Sequence, residues 1–72
     1  MELQIGKIYD VFSSRKGKFR FKLTDQCKDF ATGIILKGKA NAILQYNERS
    51  KGEEVSVRKE LSSFTEVVQH ER

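Results

Sequence analysis

Phe19, Phe21 and Leu23 alternate with Lys18, Arg20 and Lys22 along the middle of the chain. Successive side chains on a β-strand point to opposite faces, so this period of two marks a strand with one apolar and one basic face. The segment Lys18–Thr24 is therefore expected to be a half-buried strand. Similar character appears at Lys7–Ser13, which contains Ile8, Tyr9, Val11 and Phe12, and at Glu54–Lys59, where Val55 and Val57 face inward. Ala31–Lys37 is a denser apolar run, Asn41–Tyr46 follows it across a short turn, and Thr65–Val68 supplies a last strand. Residues Glu60–Phe64 lack alternation and are expected to form one helical turn.

Glycines punctuate these segments at Arg15-Lys16-Gly17-Lys18, Lys37-Gly38-Lys39 and Ser50-Lys51-Gly52-Glu53, each a polar cluster of the kind that makes a tight turn. No stretch sustains apolar positions at i, i+3, i+4 and i+7, so no long helix is expected. Five or six strands at about 8–12-residue spacing indicate an all-β domain, a small barrel or sandwich. Closure into a barrel removes exposed sheet edges and is favoured for that reason.

Gly52-Glu53-Glu54-Val55-Ser56-Val57-Arg58, then the short Glu60–Phe64 segment and the closing Thr65–Val68 strand, resembles the end of an SH3-like barrel. The opening Ile5-Gly6-Lys7-Ile8-Tyr9-Asp10-Val11 is similar to the first strand of many such domains. The resemblance implies an all-β fold, a five- to six-stranded SH3-like barrel with one short helical turn before its last strand; an OB-type barrel is the alternative. The chain departs from peptide-binding SH3 domains, whose acidic, tryptophan-containing groove has no counterpart in a chain without Trp, so the resemblance says little about ligand. Fold analogy by itself carries no function.

With 72 residues the chain is expected to form a single domain over 1–68, with 69–72 as a frayed tail. Its single cysteine, Cys27, leaves no internal disulfide, and Met1–Ile5 carries an early acid and no apolar run. A cytoplasmic protein without a membrane segment is the expectation.

Catalysis is not expected. The single histidine, His70, falls in the tail, far from any ordered partner. Cys27 therefore lacks a base to activate it and reads as a plain buried or loop thiol. One Cys and one His do not assemble a zinc site, and Asp25 and Asp29 lack the spacing of a metal loop, reading instead as helix-capping or solvated loop acids. No glycine pattern for a nucleotide phosphate is present, so neither metal nor cofactor is expected.

Binding is the function class that remains, and charge locates it. Residues 15–39 hold eight basic groups against two acids, a net of +6, whereas the rest of the chain nets −2 to give the overall +4. Arg15, Lys16, Lys18, Arg20 and Lys22 fall within eight consecutive residues that contain no acid. On a strand, Lys18, Arg20 and Lys22 stand about 7 Å apart on one face, similar to the phosphate repeat of one nucleic-acid strand. Lys37 and Lys39 extend that stripe if the glycine turns meet at one end of the molecule. The site expected is thus Arg15, Lys16, Lys18, Arg20, Lys22, Lys37 and Lys39, contacting DNA or RNA without base specificity, with the arginines as the better phosphate anchors. Outward lysines on a strand are also ordinary solvated charges that discourage aggregation. An accessory protein of phage or mobile-element type, docking on an acidic protein partner, fits the same features, and edge-strand pairing into an oligomer stays open.

Phe19 and Phe21, opposite the basic face, are expected in the core. Tyr9 and Phe12 differ in strand parity, so one of them points outward unless a bulge intervenes. Tyr46 closes a face with Ala42 and Leu44 and is expected in the core or at its rim.

Overall fold

A computed structural model of the protein describes residues 2–40 and 49–68. The chain runs through β1 (Ile8–Ser13), β2 (Gly17–Gln26), β3 (Phe30–Gly38), β4 (Glu54–Arg58), a 3-10 turn (Lys59–Leu61) and β5 (Ser62–Glu66). These strands form one antiparallel sheet in the order β4-β3-β2-β1-β5. The fold is all-β, with a short 3-10 turn ahead of the last strand. Asn41–Tyr46, with the Ala42, Leu44 and Tyr46 face, lies outside the described residues, as does the 69–72 tail with His70.

The alternation in β2 does what its period requires. Phe19, Phe21 and Leu23 are buried, while Lys18 and Lys22 are exposed and Arg20 is half-buried. The same side of the sheet buries Tyr9 and Val11 from β1, Ala31 and Ile35 from β3, and Val55 and Val57 from β4. Tyr9, Phe21 and Phe64 pack as an aromatic cluster, with Phe21 and Phe64 stacked at 6.3 Å between centroids and Tyr9 edge-on to Phe64. The Tyr9 hydroxyl reaches the rim of this core and accepts a hydrogen bond from the Gln4 backbone N–H at 2.8 Å, so its burial leaves no polar atom unsatisfied.

The β1–β2 hairpin closes over Ser14–Lys16. Ser13 is buried and its Oγ accepts from the backbone N–H groups of Arg15 and Lys16, while Gly17 takes φ +84°, open to glycine without strain. In the β2–β3 pair the register slips twice. Leu36 is an extra residue on β3, between the Arg20–Lys37 and Phe21–Ile35 pairs, and Thr24 is an extra residue on β2. Such bulges bend a strand pair and increase its twist. The bend at Thr24 turns Gln26 toward the N-terminal segment, where its Nε2 donates to the Leu3 carbonyl and its Oε1 accepts from Lys59 Nζ, both at 2.8 Å.

Two expectations require correction. The helical turn is shorter and earlier than Glu60–Phe64, and β5 starts at Ser62 rather than Thr65. Ser62 and Ser63 show no apolar alternation, yet pairing with Ser13 and Phe12 of β1 draws them into the ladder; tertiary pairing overrides weak local preference. The sheet also does not close into a hydrogen-bonded barrel. Among the described residues β4 and β5 remain its two edges. Polar groups at that corner serve the turn instead: Lys59 N–H donates to Asp29 O, Ser62 N–H to Lys59 O and Ser62 Oγ to Arg58 O.

Candidate functional site

Register fixes which cations meet. Residues paired across neighbouring strands share a face, and strands lie about 4.8 Å apart. On the outer face Arg20 is flanked by Asp10 of β1 and Lys37 of β3, Lys18 lies opposite Phe12, and Lys22 lies between Ile8 and Ile34. Lys18, Arg20, Lys22 and Lys37 thus gather on one surface. Their shared face includes Asp10 at its centre, and Glu54 opposite Ile34 marks its acidic margin on β4. A shallow groove is bordered by Asp10, Lys18, Arg20 and Lys37.

The bulge at Leu36 is what brings Lys37 to this face. Ile35 points inward, and uninterrupted alternation would send Lys37 inward as well; the extra residue restores it to the side of Arg20. Arg15 and Lys16 occupy the hairpin tip next to Lys18, at the same end of β2 where Gly38 pairs with Phe19 and Lys39 follows. The two glycine turns therefore lie toward the same end of β2.

Asp10 stands outside the basic window that the sequence singles out, and it changes the electrostatics. Its carboxylate accepts two hydrogen bonds from the Arg20 guanidinium, from Nε at 2.7 Å and from Nη2 at 3.2 Å. The hydrogen bond from Arg20 holds the Asp10 carboxyl below its ordinary pKa, with further attraction from Lys37 and Lys18, and the same bond raises the pKa of Arg20. Arg20 is therefore engaged, which makes Lys18, Lys22 and Lys37 the more available cations. The signal is present in the hairpin register: a three-residue loop before Gly17 places Asp10 opposite Arg20.

This pair gives a direct prediction. Asp10→Asn removes the central negative charge and releases Arg20, so affinity for a polyanion should rise and its salt dependence should steepen by about 0.7 log units on single strands. A salt titration of oligonucleotide binding measures both. Stability should change little, because the pair is exposed to solvent.

Phe12 resolves the parity question. It is 55% exposed on the outer face, whereas Tyr9 is 1% exposed in the core. Cys27 is exposed, as are Asp25 and Asp29; Asp25 is a β2 residue paired with Thr32, its carboxylate accepting from the N–H of Gln26, and Asp29 lies in the turn that follows. Among the described residues no cluster of three His, Cys, Asp or Glu side chains is arranged to hold a metal ion, and no helix is long and apolar enough to cross a membrane.

Compared with known protein families, curated proteins and solved structures, the chain matches none.

Proposed function

We propose that the protein is a non-catalytic binding module whose basic outer face contacts nucleic acid without base specificity. The observation that carries this reading is the convergence of Lys18, Arg20, Lys22 and Lys37 from β2 and β3 onto one surface, around the Asp10 carboxylate. Cations at about 7 Å intervals along β2 follow a phosphate backbone in register, and Arg15 and Lys16 at the hairpin tip continue the line. Phosphate contacts of this kind position a chain without reading its bases. The strand order, with a 3-10 turn leading into a last strand that returns to β1, supports an SH3-like small barrel as the architecture.

The test is a triple variant, Lys18→Ala, Lys22→Ala and Lys37→Ala. Each phosphate no longer neutralised should flatten the logarithmic salt slope by about 0.7 on single strands or about 0.9 on duplex DNA, so the triple variant should bind with a slope shallower by about 2 to 3 units. A matched control, Lys28→Ala with Lys51→Ala, removes cations outside this face and should leave the slope near that of the parent. Equal slopes for the triple variant and the parent would exclude this face as the binding surface.

A further inference from the structure

We infer that the nucleic acid held by this face is single-stranded, with one unpaired base stacked on Phe12. The inference rests on the reading of the basic face as a nucleic-acid surface and adds what kind of strand it takes.

Two phenylalanines are exposed on the outer side of the sheet, and their surroundings differ. Phe30, 40% exposed, lies opposite Arg58 and is covered by its guanidinium at 5.4 Å from the ring centroid. Phe12, 55% exposed, makes no ring or cation–π contact among the described residues. It stands on β1, an interior strand paired on both sides, so the ring is mounted on a rigid support rather than on a loop. Its direct neighbours are Lys18 on the β2 side and the small Ser63 on the β5 side. An open aromatic face therefore lies one strand away from the line of cations.

That arrangement suits an unpaired strand. In a duplex each base has its flat faces occupied by its neighbours and presents only its edges in the grooves. An unpaired base offers a free face, and stacking on an aromatic side chain tolerates any base identity. A backbone lying along Lys18, Arg20 and Lys22 would turn its bases toward β1, where Phe12 stands beside Lys18. Ile8 and Ile34, half-buried on either side of Lys22, add apolar surface among the cations that bare phosphate contact does not use.

The experiment compares binding of an oligothymidylate of about twelve nucleotides, a length within the range covered by small single-strand binding folds, with a blunt duplex of the same length at low salt. The parent should prefer the single strand. Phe12→Ala should weaken oligothymidylate binding by about 5- to 150-fold, the range for losing one stacked base, while leaving the salt slope and the duplex affinity unchanged. Phe12→Leu, which keeps apolar bulk without an aromatic face, serves the same comparison should the alanine variant fold poorly. The chain contains no Trp, so Phe12→Trp installs a single indole whose emission should be quenched by the oligothymidylate and not by the duplex. Unchanged oligothymidylate affinity in Phe12→Ala, with the salt slope intact, would overturn the stacking inference and leave the basic-face reading standing. Tighter binding of the duplex would also overturn it. Equal competition by polyglutamate would do so too, and would favour an acidic protein as the partner. No binding of either oligonucleotide by the parent would remove the basic-face reading and this inference together.

Discussion

Phe21→Ala should leave the protein largely unfolded at moderate temperature. The ring is fully buried, stacks on Phe64 and meets Phe19 edge-on at 5.8 Å, so its removal opens a cavity in the middle of the core. Removing a buried phenylalanine costs about 3–5 kcal/mol, from forfeited transfer free energy and from the void left behind. A chain of this length has about 4–10 kcal/mol of stability in total. The melting temperature should therefore fall by more than about 12 °C, since each kcal/mol shifts a domain of this size by about 4–8 °C. Thermal unfolding followed by circular dichroism measures it. A shift of only a few degrees would mean that the ring is not the centre of the core.

Gly33→Ala should also be strongly destabilising, against the usual sign for such a change. Replacing glycine by alanine commonly stabilises by restricting the unfolded chain. At Gly33 a Cβ would lie 2.5 Å from the Lys22 carbonyl oxygen and 2.7 and 2.8 Å from atoms of the Phe21 ring. The ring is fully buried between Phe19 and Phe64, and the carbonyl belongs to the backbone of the paired strand and moves only if β2 and β3 part. Overpacking of this kind costs about 1–3 kcal/mol and occasionally more, and the backbone contact places Gly33→Ala at the upper end. Chemical denaturation of the single variant and of Gly33→Ala combined with Phe21→Leu separates the two contributions. The smaller side chain should recover part of the deficit through coupling of neighbouring sites, while the share due to the Lys22 carbonyl remains.

These two residues also mark the limit of what the sequence discloses. The inward placement of Phe21 is legible, because strict alternation leaves only one assignment of faces. The turns at Gly17, Gly38 and Gly52 are legible for a similar reason, and all three take positive φ. The close approach of β2 to Gly33 is not legible, since nothing in Ala-Thr-Gly-Ile-Ile distinguishes a glycine that makes room for a ring from one that only bends a strand. The start of β5 escapes a local reading because Ser62 and Ser63 join the sheet through partners on β1, Ser13 and Phe12, far earlier in the chain.

The basic face is partly legible. Local periodicity alone assigns Lys18, Arg20 and Lys22 to one side. The arrival of Lys37 depends on a register slip, which is a property of two strands together and leaves no trace in either one. Asp10 escapes a charge count made along a window of sequence, because its contact with Arg20 crosses a hairpin. Parity by itself does not choose between Tyr9 and Phe12; pairing with Lys18 does.

The surplus residue at Leu36 has an implication for how this protein tolerates changes of length. Without it, Ile35 and Lys37 would become direct neighbours, one facing in and one facing out, and the ladder to β2 would run uninterrupted from Phe19 to Leu23. A deletion there should straighten the strand pair while keeping every ammonium group where it stands. No such slack exists between Phe19 and Leu23, where dropping a single position would exchange hydrocarbon for charge along the remainder of the strand. Curvature and cation layout are thus separable at Leu36, and shortening should be tolerated there sooner than between Phe19 and Leu23.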